Sequence, residues 1–211
     1  MRFYLSISLL LLFFPRSSFS QDAPLRQDKF YSMSGFGLSF PVGGSSSFMT
    51  PKFSTTLGVN LGIGNSGLFI YPKLSLHVFG YDNITPDQKY NYELQKGRST
   101  TYLLSAALGY RKIINRFSFY GFIGSGGGFI LTPRIMIDPA SQVAILNNRT
   151  NHMAIIEPGA GIEYNIGGAN LFAESSFMHG LSDVGEKPFN AVPLTIGIKP
   201  NLSHLFRKKN R

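Results

Sequence analysis

The chain has 211 residues and a formal net charge of +9, with 15% charged residues, 14% aromatics, 23 Gly and neither Cys nor Trp. That length suits one domain or two small ones. The lack of cysteine excludes a disulfide framework, a Cys-based zinc site and a lipoprotein anchor. Few charges beside many rings and glycines fit a β-rich chain with one face in an apolar medium. They disfavour a helical bundle, a disordered chain and a charged cytosolic enzyme.

Residues 1–20 read as a secretory signal peptide. Arg2 supplies the positive start, Leu5 to Phe14 the apolar stretch, and Ser18-Phe19-Ser20 the small residues before cleavage. Ten apolar residues are too few to span a bilayer as a helix. Cleavage at Gln21 removes Arg2 and Arg16 and leaves 18 basic against 11 acidic residues, a charge of +7. Residues 21–28 are expected to be a short periplasmic segment, 29–200 the folded domain, and 201–211 a basic tail. Secretion also removes the nucleic-acid partner that a basic chain would otherwise suggest.

From residue 29 onward the apolar residues recur with period 2, the mark of strands with two different faces. Phe53, Thr55, Leu57, Val59, Leu61 and Ile63 share one face, with Ser54, Thr56, Gly58, Asn60 and Gly62 on the other. The pattern repeats at 68–78, 102–111, 154–164, 171–178 and 192–199. Segments 29–41 and 117–131 have a less certain phase; Gly124, Gly126, Gly127 and Gly128 suggest a bulge or close packing in the latter. Tight turns at 64–67, 112–116 and 165–168 alternate with long links at about 42–52, 82–98, 132–151 and 182–189. Strict alternation of short and long connections predicts an all-β, eight-stranded antiparallel up-and-down transmembrane β-barrel, with short periplasmic turns, long outer loops and both termini in the periplasm. Such a closed barrel is the one way for strands to cross a bilayer.

Two aromatic girdles are expected. Phe30, Tyr31, Phe69, Tyr71, Tyr110, Phe117, Phe119 and Tyr164 gather near the periplasmic rim, and Phe79, Tyr81, Tyr102, Phe129, Phe177 and Phe189 near the outer rim. Pro72, Pro158 and Pro193 lie inside these strands and each removes a ladder donor, so bulges are expected to absorb them.

An eight-stranded barrel is just wide enough for its interior to be filled by side chains. The inward phase places Lys73, Arg111, Glu157, Glu163, Glu174 and Lys199 there. Three bases and three acids can pair as a charge network; a proton or ion path is the functional alternative. No catalytic, cofactor or metal residues are assigned, since the four His show no ligand spacing and the Gly-rich run lacks a phosphate-binding Lys. His179, Ser182 and Glu186 invite a lipid A deacylase reading. However, His179 and Ser182 are three apart and fall on opposite strand faces. The bases Lys89, Lys96, Arg98, Arg134 and Arg149 of the long links suit lipopolysaccharide phosphates. The tail bases Arg207, Lys208, Lys209 and Arg211 suit anionic headgroups, peptidoglycan or an acidic partner. Link 132–151 is also apolar enough to be an interaction surface.

The strand pattern resembles small outer-membrane barrels of Bacteroidetes. It is similar to the PorT-like proteins and, more distantly, to OmpX and OmpA barrels. The resemblance is carried by Phe36-Gly37-Leu38-Ser39-Phe40, Phe119-Tyr120-Gly121-Phe122-Ile123-Gly124, His179-Gly180-Leu181-Ser182-Asp183 and Leu194-Thr195-Ile196-Gly197-Ile198. It implies a non-catalytic structural or accessory subunit of a cell-envelope complex for secretion or outer-membrane assembly, in contact with outer-membrane lipid, lipopolysaccharide and another envelope protein. A lipid A-modifying enzyme, a small-solute channel and a soluble ligand-binding barrel stay open as alternatives.

Overall fold

In the computed structural model, the described residues are 30–86, 91–138, 143–184 and 187–203. The predicted signal peptide, the 21–28 segment, Lys89, Glu186 and the bases of the tail lie outside them.

The described residues form β1 (Phe30–Pro41), β2 (Met49–Ile63), β3 (Leu68–Pro86), β4 (Asn91–Ile114), β5 (Phe117–Asp138), β6 (Val143–Asn165), β7 (Ala169–Ser176), β8 (Met178–Val184) and β9 (Lys187–Pro200). A short 3-10 turn, Gly43–Ser47, links β1 to β2. Successive strands from β1 to β7 pair antiparallel, as do β8 and β9, and β1 closes on β9 with Ser34 opposite Ile198 and Pro41 opposite Ala191. The wall therefore has no free edge along the closed section. β7 and β8 are two halves of one barrel strand. Both pair with β6 on one side and β9 on the other, in one register on either side of Phe177. The nine segments thus make eight barrel strands.

The break at Phe177 has a local cause. Continuing the register places Phe177 against Pro158 of β6 and Ser176 against Pro193 of β9, so prolines flank the gap on both sides. A proline has no N–H to give to the ladder. Phe177 still donates its own N–H to the Pro158 carbonyl at 2.8 Å. At Pro72 the β2–β3 ladder likewise skips from Gly58–Lys73 to Leu61–Ile70 without a change of register. The expectation of bulges at these three prolines is thus corrected: the ladder loses a rung and the register holds. The register shifts fall elsewhere, between Pro51 and Ser54, Tyr81 and Asn83, and His179 and Asp183.

Three of the expected long links are mostly strand, 182–189 among them, where β8 and β9 stay paired out to Val184–Lys187. β3 and β4 stay paired out to Pro86–Asn91, and β5 and β6 out to Asp138–Val143. Link 132–151 carries Thr132, Ile135, Ile137, Val143, Ile145 and Thr150, and such β-branched residues favour extended backbone; 82–98 has only Ile84 and Thr85.

The two faces differ as alternation requires. Leu104, Ile123, Phe36, Leu108 and Leu57 point outward and are each more than half exposed, Leu104 reaching 67%. Contiguous apolar surface of this extent is foreign to a protein bathed in water and suits lipid. Outward rings pair across strands: Phe117 with Tyr164 at 5.0 Å, and Tyr102 with Phe129 at 5.1 Å. The girdle expectation needs correcting at six positions. Tyr31, Phe69, Tyr71, Phe79, Tyr81 and Phe189 are buried in the interior. Phe69 and Tyr71 share the parity of Lys73, and a pleated strand sends all three to one side.

Inward rings lie over inward glycines. Phe69 covers Gly109, Tyr120 covers Gly161, Phe122 covers Gly159, and Phe172 covers Gly35 and Gly197. Each glycine leaves the space its neighbour's ring occupies, as in aromatic rescue of sheet glycines. A Cβ on Gly109 would overlap the Phe69 ring and stand 2.8 Å from the Gly121 carbonyl oxygen. Gly109→Ala is therefore expected to destabilise the barrel by about 1–3 kcal/mol, read as a lower urea midpoint. β5 runs without a register shift against both neighbours, so Gly124, Gly126 and Gly128 mark close packing and not a bulge.

Candidate functional site

All six predicted inner charges are buried, and the structure brings them together. Lys73 of β3 donates to Glu157 of β6 at 2.5 Å and lies 3.8 Å from Glu174 of β7. Arg111 of β4 and Lys199 of β9 both donate to the same oxygen of Glu163 in β6, at 3.0 and 2.8 Å. Strands far apart in sequence are thus tied across the lumen.

The two groups are complementary. Lys73 with Glu157 and Glu174 carries one excess negative charge, and Glu163 with Arg111 and Lys199 one excess positive charge. Two tyrosines join them. Tyr71 and Tyr120 donate to the two oxygens of Glu174, at 3.2 and 2.7 Å. The Lys199 ammonium sits 4.1 Å from the centre of the Tyr120 ring and 4.7 Å from that of Phe172. Neutral donors add to this: Ser176 donates to the same Glu157 oxygen as Lys73, at 2.6 Å, and Asn170 to the second oxygen of Glu163, at 3.2 Å. A buried carboxylate stays ionised only with such pairing and hydrogen bonding.

Tyr71, Tyr120, Ser176 and Asn170 were not singled out from sequence as network members. Their signal was parity: Tyr71 stands two residues from Lys73, and Ser176 two from Glu174.

Towards the long-hairpin end the interior changes character. Ser54 bonds His77 at 2.9 Å, and Thr56 bonds Ser75 at 3.3 Å. Beyond them a tight apolar cluster fills the barrel: Met49, Phe79, Leu103, Ile130, Met178 and Phe189, each at most 2% exposed, form its centre. Buried hydroxyls stand beside this cluster, with Ser99 opposite Phe79 and Thr101 opposite His77.

The residues of the deacylase reading do not converge. His179 lies on the outer face, stacked parallel to Phe177, and its Nδ1 bonds Asn190 at 2.7 Å. Ser182 follows the opposite parity, and no hydrogen bond joins the two among the described residues. At the same end Lys96, Arg98, Arg134 and Arg149 are exposed. Among the described residues there is no group of three or more potential metal-ligating side chains. No helix among them is long and apolar enough to cross a membrane, which says nothing of strands.

No protein-family model and no curated protein matches the sequence. Solved structures do match the fold. The crystal structure of Neisserial surface protein A superimposes with a TM-score of 0.58 at 11% identity, covering 82% of this chain and 97% of that one. Ail, the attachment invasion locus protein of Yersinia pestis, gives 0.43 at 13% identity over 81% of this chain and 99% of its own. The N-terminal β-barrel domain of Pseudomonas aeruginosa OprF gives 0.41 at 14% identity over 82% and 98%. The chain thus has the all-β antiparallel up-and-down architecture of the small eight-stranded surface barrels, of which Neisserial surface protein A is an example.

Proposed function

We propose that this chain is a non-catalytic outer-membrane β-barrel that works as a structural or accessory subunit of a cell-envelope complex. The observation that carries the reading is the pairing of a lipid-suited exterior with a filled interior. Among the described residues, paired charges occupy one interior layer and a buried apolar cluster the next. Transport is thus disfavoured, and the separation of His179 from Ser182 disfavours the deacylase chemistry. What remains for interaction is the outside: the lipid-facing wall and the two long hairpins.

In this reading residues 1–20 direct export, both termini lie in the periplasm, and the hairpin end faces outward. The resemblance to PorT-like barrels points to secretion or outer-membrane assembly as the process. The tail bases Arg207, Lys208, Lys209 and Arg211 then meet anionic surfaces in the periplasm. The test is purification from outer membranes in mild detergent through a tag in a hairpin tip. A stoichiometric envelope protein is expected to accompany the barrel. Recovery of a clean monomer would overturn the accessory role, and recovery in the soluble fraction would overturn the membrane location.

A further inference from the structure

We propose that Lys52 of β2 and Arg98 of β4 form a binding site for the phosphate of an outer-leaflet lipid A headgroup, on the outside wall of the barrel. The site deepens the outer-membrane reading and rests on it.

The site is built around Gly80 of β3. Its neighbours Phe79 and Tyr81 point inward and are buried, so Gly80 faces outward. Thr50 and Arg98 are its direct partners on the two adjacent strands. The register shift between Pro51 and Ser54 turns two successive residues to the outside: Ser54 is buried inward, while Phe53 is half exposed and Lys52 exposed. Lys52 Cε lies 3.5 Å from where a Cβ on Gly80 would stand, and the Thr50 hydroxyl would overlap that Cβ. Gly80 is itself buried: its missing side chain leaves the room in which the Lys52 stem and the Thr50 hydroxyl lie over β3, with Arg98 on the opposite side.

The spacing suits one phosphate. β2 and β4 both flank β3, so their backbones are about 9.5 Å apart. Two long basic side chains close that gap around a single phosphate, Arg98 with its planar fork and Lys52 as a point charge. Neither base forms an ion pair among the described residues. The acid closest in sequence on this face, Asp82, is engaged: its carboxylate accepts the Lys96 N–H at 2.7 Å. The height is also right. Phe53 and Tyr102 lie just on the lipid side of the two bases, 48% and 37% exposed. A ring layer followed by cations is the order of groups that an acyl chain and then its phosphate would meet.

The test uses the full barrel in phosphatidylcholine nanodiscs doped with bis-phosphorylated lipid A, with retained lipid counted by native mass spectrometry. The wild type is expected to hold lipid A, and Lys52→Gln with Arg98→Gln to lose about tenfold in retention, the order expected for two charge-assisted contacts. Lys112→Gln, an exposed base at the short-turn end of β4, should retain the lipid, as should Lys52→Arg. Equal retention by the double variant, with normal folding on unheated gels, would overturn the site. So would undiminished binding of fully dephosphorylated lipid A, or displacement of lipid A by millimolar inorganic phosphate, which would mark a soluble-anion site. A wild-type chain that cannot be reconstituted into a bilayer overturns the outer-membrane reading and the site with it.

Discussion

Replacing Glu163 with Gln is expected to cost the barrel about 3–5 kcal/mol, the range seen when one partner of a buried ionic group is removed. Glu163 is 1% exposed and accepts both Arg111 and Lys199 through one oxygen, so its loss strands two buried cations together. The neutral amide of Gln keeps the shape and offers an acceptor but cannot offset the two charges. Folded barrel should decline on unheated gels, and the urea midpoint should fall well below that of the wild type. Adding Lys199→Met to Glu163→Gln should recover part of the loss, since it leaves one uncompensated cation instead of two. If Glu163→Gln alone leaves the midpoint unchanged, the lower layer is hydrated and its ion pairs are not the tie between strands described above.

Leu104→Arg is the second large effect. Leu104 sits mid-strand in β4, faces outward and is 67% exposed. On the surface of a water-soluble domain such a change stays within about 0.5 kcal/mol. On the lipid face of a transmembrane barrel near the bilayer midplane it costs about 2–4 kcal/mol. Refolding into phospholipid vesicles, with unfolding followed in urea, separates the two. Ser46→Arg, on the exposed 3-10 turn, is the matched control and should stay within about 0.5 kcal/mol of the wild type. Near-identical behaviour of Leu104→Arg and Ser46→Arg would show that the exterior faces water and would remove the membrane location.

Both predictions depend on which face a side chain takes, and that was the part of the structure most legible in sequence. A period of two fixes the face of every residue once the phase is known. The phase that put Leu57, Leu104 and Leu108 outside put Lys73, Arg111 and Glu163 inside. All six charges followed it. The aromatic girdles were half legible. Tyr102, Phe129, Phe117 and Tyr164 are outward, but sorting rings by height alone ignored parity and mistook Phe69, Tyr71 and Phe79 for surface residues. Their place is explained by partners on other strands, the glycines over which they lie, and a single sequence does not print cross-strand register. The same limit hid the coupling of Tyr71 and Tyr120 to Glu174, and the way Pro158 and Pro193 converge on Phe177 from two neighbouring strands. Turn positions were clear because glycine marks them: Gly64, Gly67 and Gly167 all have positive φ. The long hairpins were not, since polar residues within long paired strands read as loop.

The placement of Lys199 bears on how the barrel closes. Lys199 comes from β9, the last of the described strands and the one that seals against β1. Without it, the other five inner charges sum to one net negative charge; with it, the interior is neutral. Zipping the final seam and balancing the interior are thus the same event. A wall that closed on β7 and left β9 out would keep one unbalanced negative charge in its lumen, so the electrostatics of the core favour closure through β9.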